Sequence, residues 1–309
     1  MRYPARAPSL SGLLAVVLTL GAAQPAALQQ TVPAPQAWSA YTGLSNVYDS
    51  NIDHTPLGPE SYGVLVVVGG RYRQRFSDTT LELWYDGVFR RYTNTTIWNR
   101  PGHDAGLSID RRTGPHWVMG ATAEVELNGS SEDRVLRNEY SLQPEIEYRF
   151  TRSTRLQLYG EYLLKRYPDP LQGQNAVDPR VGARFRQLLG AHGSFGMSGR
   201  YEYNYADSTR HRYSGWTGGL DIATPLWPGG RIAWSARYRI RRYTSRLVDL
   251  GTTKVLRRDD DRVAAVVWQQ MLLRVWELDL SYRYEMYGSN DTRRVFREHL
   301  VGLTVRRWW

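Results

Sequence analysis

Six histidines, His54, His103, His116, His192, His211 and His299, are the first residues in this chain that could do catalysis. A hydrolytic centre would need one of them beside a serine or a carboxylate. His103 and Ser108 are five apart, an odd spacing that sends side chains to opposite faces of a strand. Adjacent His299 and Glu298 diverge in the same way. No serine occupies a nucleophile-elbow motif, and no glycine-rich phosphate cradle occurs. Asp49, Asn51, Asp53 and Glu60 echo a calcium loop in part, but His54 stands where the sharp turn needs glycine and Pro56 interrupts the loop. The chain has no cysteine. This excludes disulfides, thiol nucleophiles, Cys-ligated zinc, iron–sulfur clusters and an acylated cysteine. The expectation is a protein without catalytic residues, cofactor or metal.

Arginine and carboxylate dominate instead. There are 40 Lys+Arg against 30 Asp+Glu, a formal charge of +10. Such a surplus can mark a nucleic-acid binder. Here the arginines are spread along the whole chain and interleaved with acids, so no nucleic-acid partner is expected. What they share is a period of two. Arg237, Arg239 and Arg241 alternate with Tyr238 and Ile240. Arg180, Arg184 and Arg186 belong to one segment and Arg200 and Glu202 to the next. Glu145 and Glu147 precede Arg149, Glu161 precedes Lys165, and Glu277, Asp279, Arg283 and Glu285 share one phase. The acidic stretch Asp259-Asp260-Asp261 lies beside Arg257, Arg258 and Arg262, a setting for internal salt bridges.

The intervening residues are apolar or aromatic. Trp276, Leu278, Leu280, Tyr282, Tyr284 and Met286 form one such row, and Tyr140, Leu142, Pro144, Ile146, Tyr148 and Phe150 another. Alternation of this kind means strands with one polar and one apolar face. The runs last about 12–14 residues, against about 5–6 for a soluble strand and about 9–11 for a tilted strand that crosses a bilayer. The mean hydropathy of −0.52 excludes a bundle of membrane helices but permits a membrane barrel, where only alternate residues meet lipid.

The expected fold is therefore an all-β, antiparallel transmembrane β-barrel of about 14 strands over residues 37–309. Short turns are expected at 77–78, 113–115, 152–153, 190–193, 228–230 and 273–274. Longer connections are expected near 51–61, 94–102, 129–134, 168–176, 207–211, 244–257 and 288–294. Aromatics sort by strand end. Tyr48, Tyr92, Tyr167, Tyr205, Tyr213, Tyr243 and Tyr287 sit beside the long loops. Trp38, Phe76, Trp117, Phe150, Trp227, Trp276 and Trp309 sit beside the short turns, so two lipid-facing belts are expected. Tyr201, Tyr203 and Tyr205 belong to the lipid face, not to a sugar-stacking slide. Residues 1–23 read as a cleaved signal peptide, with Arg2 and Arg6 before a Leu13–Leu20 apolar core and small residues up to Ala23. Residues 24–36 read as a flexible periplasmic lead-in.

Trp309 is preceded at alternate positions by Arg307, Val305, Leu303 and Val301. This ending resembles the C-terminal strand of bacterial outer-membrane barrels, apart from Arg307. The resemblance implies an outer-membrane location and recognition of Val301, Leu303, Val305 and Trp309 by the barrel-insertion machinery. The Tyr48-Asp49-Ser50-Asn51-Ile52 segment, Arg257–Asp260, Tyr282-Arg283-Tyr284, Ser289-Asn290-Asp291, His299 and Val301-Gly302 are similar to the barrel domain of surface lipoprotein assembly modifiers. They are also similar to exopolysaccharide-associated porin-like barrels. The periplasmic helical repeats of the assembly modifiers have no counterpart in residues 24–36.

With the apolar set in lipid, the polar set lines a lumen. Arg180, Arg184, Arg186, Arg237, Arg239 and Arg241 would then make a positive stripe favouring anions or acidic saccharides. Charges from neighbouring strands could instead neutralise one another and partly fill the lumen. The expected function is an outer-membrane channel for small polar or anionic solutes or saccharides, with lipids and lipopolysaccharide as its surroundings. An exit barrel for exopolysaccharide or surface lipoprotein, and a structural or adhesive barrel with a closed lumen, are the alternatives.

Overall fold

The computed structural model describes residues 38–95, 99–129, 135–190 and 193–309; the expected signal peptide and lead-in lie outside them. The β-formers in alternation give fourteen strands. The first seven are β1 (Trp38–Asp49), β2 (Ser61–Phe76), β3 (Thr79–Tyr92), β4 (Gly102–Arg112), β5 (Trp117–Gly129), β6 (Arg137–Arg149) and β7 (Thr154–Arg166). They continue as β8 (Ala176–Leu189), β9 (Gly193–Ala206), β10 (Tyr213–Trp227), β11 (Gly230–Asp249), β12 (Lys254–Leu272), β13 (Trp276–Ser289) and β14 (Phe296–Trp308). Every strand pairs antiparallel with its chain neighbours, and β1 pairs with β14 from Tyr41↔Trp308 to Asp49↔Leu300. The sheet is closed and has no unpaired edge, the condition for a β structure to sit in hydrocarbon.

Alternation along each strand sets two faces. On β2, Tyr62, Val64 and Val66 are exposed, while Ser61, Gly63, Leu65 and Val67 are buried. Side chains that bond across an intervening strand identify the concave face, because only there do next-but-one strands approach. Arg239 on β11 reaches Glu202 on β9. Lys165 on β7 reaches Asn204 on β9, and Arg184 on β8 reaches Gln143 on β6. The polar set therefore faces in and the exposed apolar set faces out. The turn-side belt is as expected: Trp38, Phe76, Trp117, Phe150, Trp227, Trp276 and Trp309 all stand exposed on the outside.

One stretch of the inner face is apolar. Tyr41, Val47, Leu65, Val67, Val88 and Leu300 form a buried cluster where β14, β1, β2 and β3 meet. The Val64–Val68 run thus supplies both faces of one strand. The expected connection over 244–257 is also shorter than the sequence suggests. β11 and β12 extend past it and pair Leu247↔Leu256 to Asp249↔Lys254, after a register shift between Arg242 and Leu247. That shift changes the phase of the alternation, so Thr244, Ser245 and Arg246 read as loop. At the β10–β11 turn, Gly229 adopts φ 77°, a left-handed conformation that a side chain would strain.

Arg307, the departure from the usual terminal pattern, faces outward. Its guanidinium lies 3.9 Å from the Trp309 ring and 5.7 Å from that of Trp276. Stacking within the aromatic belt keeps the cation at the interface, out of hydrocarbon.

The facing rule gives a paired test. Leu142→Arg, at mid-height on the outer face, should cost about 2–4 kcal/mol of folding stability in lipid vesicles. Thr122→Arg, on the inner face, should cost a small fraction of that. Denaturant titration of the two variants checks the contrast.

Candidate functional site

The lumen is the candidate site, and its loop-side half is built from ion pairs. Lys165 Nζ lies 2.6 Å from the Asp178 carboxylate. Arg180 stands 3.1 Å from Asp178, 3.3 Å from Glu161 and 3.6 Å from Glu202. Glu202 also accepts from Arg239 Nε at 2.9 Å and lies 3.5 Å from Arg200. Glu202 is fully buried, and such a carboxylate is tolerable only because guanidinium groups converge on it.

A second set follows the wall of β11 to β14. Arg237 pairs with Asp261 at 2.9 Å, and Arg283 with Glu285 at 2.5 Å. Arg306 bridges Glu277 and Asp279. Asp259 is held by Arg257, by Tyr287 OH at 2.5 Å and by Ser289 Oγ at 2.7 Å. Nearer the turns, Glu147 meets Arg149 at 2.6 Å and Arg155 at 3.3 Å. Glu145 accepts from Gln143 Nε2 at 2.8 Å.

The candidate positive stripe is thus divided. Arg180, Arg237 and Arg239 are bound to carboxylates. Arg184 rests on the Tyr159 ring at 4.2 Å and donates to the amide oxygens of Gln157 and Gln143 at 3.4 Å. Arg241 stacks over Tyr213 at 5.2 Å. Arg186 stands in the combined field of Arg155, Asp221, Arg231 and Glu147. Asp178 and Arg306 escaped the sequence reading, although each has the phase of its inward neighbours, Arg180 and Thr304.

The opposite wall is different. On β4 to β6 the inward positions are Asp104, Gly106, Ser108, Asp110, Gly120, Thr122, Glu124, Ser141 and Gln143, and all keep partial exposure. Turn-side inward positions on β9 to β11, such as Ser198, Thr217, Gly219 and Ser235, are small as well. Ion pairs thus line β7 to β14 at both ends of the lumen, while the inward positions of β4 to β6 are small or acidic.

The loop-side tyrosine belt requires a correction. Tyr48 and Tyr205 lie on the outer face, but Tyr92, Tyr167, Tyr213, Tyr243 and Tyr287 face inward. Tyr92 packs on the inner apolar cluster, and Arg137 lies over Tyr167 at 5.7 Å. Arg257 lies 4.5 Å above Tyr243, and Tyr287 stacks on Phe296 at 5.2 Å. Parity carried the signal: Tyr213 shares the phase of Gly215, Thr217 and Asp221, and Tyr243 that of Arg237, Arg239 and Arg241. Position at a strand end does not decide which face a ring takes.

At the outer mouth, His211 ends a short 3-10 turn (Thr209–His211) between β9 and β10. Burial, and then the charges of Arg246, Arg210, Arg294 and Arg257, hold its pKa down to about 4. Of the partial calcium-loop residues, Asp49 Oδ1 accepts from Asn51 N at 2.8 Å and Glu60 accepts from Tyr48 OH at 2.9 Å. His103 and His299 point outward and each bonds a tyrosine hydroxyl at 2.9 Å, from Tyr85 and Tyr282 respectively.

No protein family and no curated protein matches the chain by sequence. Solved structures match its fold. A bacterial polysaccharide outer-membrane secretin aligns with a TM-score of 0.52 at 11% identity, over 89% of this chain and 100% of that one. The outer-membrane channel DcaP of Acinetobacter baumannii aligns with a TM-score of 0.53 at 8% identity, over 88% and 96%. An anion-selective porin from Comamonas acidovorans gives 0.53 at 8%, over 88% and 98%. The chain has the porin-like barrel fold of these outer-membrane proteins.

Two measurements follow from the lumen and its mouth. Glu202→Gln removes the carboxylate on which Arg180, Arg200 and Arg239 converge, and should cost about 3–5 kcal/mol in thermal or denaturant unfolding. His211 should titrate near pH 4 by NMR, against 6.5 for a free imidazole. Arg246→Gln should raise that value. A folded pKa below the unfolded one makes protonation oppose folding. The residue's contribution is then nil above pH 6.5 and turns destabilising as the pH falls towards 4.

Proposed function

We propose that this barrel is an outer-membrane channel that passes small polar or anionic solutes, including saccharides, by diffusion. The observation that carries the reading is the inner face. It is polar and charged along most strands of a closed barrel, and it opens under a mouth where Arg210, Arg246, Arg257 and Arg294 raise the potential around His211. A positive entrance concentrates anions, and fixed charge inside sorts them. Arg184 and Arg186 are the pore-lining cations that selectivity should depend on most, because Arg184 is held by amides and a ring rather than by a carboxylate.

In this reading residues 1–23 are removed on export, and the outward row of Val301, Leu303, Val305 and Trp309 is presented to the insertion machinery. Arg91, Arg166, Arg242, Arg258, Arg262 and Arg297 are exposed at the loop-side ends of outward rows. They suit the phosphates of lipopolysaccharide in the outer leaflet. The inward collar of Tyr213, Tyr243 and Tyr287 beside arginines favours a second reading, passage of an acidic polysaccharide, since rings and guanidinium groups together match sugar faces and carboxylates.

Conductance of the purified protein in planar bilayers tests the proposal. Open channels with a reversal potential favouring anions are expected. Arg184→Glu with Arg186→Glu should move permeability severalfold towards cations. Absence of conductance would leave a closed structural barrel and overturn the proposal, as would cation preference in the unaltered protein.

A further inference from the structure

We propose that Asp49, His54 and Glu298 form a binding site for a divalent transition-metal ion of the zinc class, at the outer end of the seam where β1 closes on β14. Barrel closure brings together three residues from the two ends of the chain. One ligand atom from each lies within 4.8 Å of the other two. Asp49 and Glu298 are buried, and the His54 side chain keeps 15% exposure.

One donor pair already stands at a spacing that coordination uses. His54 Nε2 and Glu298 Oε1 are 3.5 Å apart. Ligand bonds of about 2.0–2.2 Å in tetrahedral geometry put donor atoms about 3.4 Å apart. One imidazole with two carboxylates also suits zinc-class ions by ligand type, and the two negative charges balance a dication. Three protein donors leave a fourth position for water.

The surroundings hold the donors in place. Asn51 N donates to Asp49 Oδ1 at 2.8 Å. The Asn51 side-chain amide donates to Thr55 O at 2.8 Å and to Arg297 O at 3.2 Å, tying the loop to β14. Ser50 N donates to His299 O at 3.1 Å, and His299 N donates to Ser50 Oγ at 2.8 Å. The His54 ring packs against Phe296 with centroids 5.4 Å apart. A bound ion would cross-link the first outer loop to the last strand.

The test is zinc titration by calorimetry of the full chain purified in detergent and stripped with a chelator. One zinc per chain is expected, with affinity lowered by about tenfold or more in His54→Ala and in Glu298→Gln. Heat-modifiable gel migration verifies that each variant is folded. Should Glu298→Gln fail to fold, His54→Ala, on the loop, decides alone. Absence of stoichiometric zinc, unchanged affinity in folded variants, or calcium bound in preference to zinc would each overturn the proposal.

Discussion

The structure depends on one constraint: a backbone amide in hydrocarbon must find its hydrogen bond within the protein. A sheet meets that condition only by closing on itself. Pairing of β1 with β14 is therefore the contact on which the rest stands. It removes the last unpaired edge, fixes an even number of strands, and commits alternate side chains to two media. Everything on the outer face then answers to lipid, and everything on the inner face to the other strands.

That division explains where the charge goes. An arginine on the outer face is confined to the interface, as Arg307 is between Trp276 and Trp309. Inside, the curvature of the wall brings next-but-one strands within reach of each other. Long cations there meet acids that no local pattern pairs with them. Glu202 collects Arg180, Arg200 and Arg239 from three strands. These bonds tie the strands of one wall together, while the inward positions of β4 to β6 are small or acidic and keep partial exposure. The result is a lumen with an asymmetric lining.

Much of this was legible in the sequence, because a period of two over long runs is a strong signal. The strand count, the turns among the described residues and the inward row of charges follow from it, as does the outward placement of Tyr201, Tyr203 and Tyr205. What was not legible has physical causes. A register shift after Arg242 changes the phase, so the ends of β11 and β12 read as loop. Val64–Val68 is apolar at every position, so alternation is silent about the inner cluster it builds. Partners across an intervening strand depend on barrel curvature, which has no local signature. His54 and Glu298 meet only because the two ends of the chain do. The inward tyrosines were readable from parity, but position at the strand ends suggested a belt.

The absence of cysteine makes the central claim directly measurable with single spin labels. Labels placed one at a time from Tyr140 to Glu145 on β6, in vesicles, report access to lipid-soluble oxygen and to a water-soluble nickel chelate. Oxygen access should peak at residues 140, 142 and 144, and chelate access at 141, 143 and 145. Uniform access along the strand, or the opposite phase, would contradict a closed barrel with its apolar face in the membrane and its charges inside.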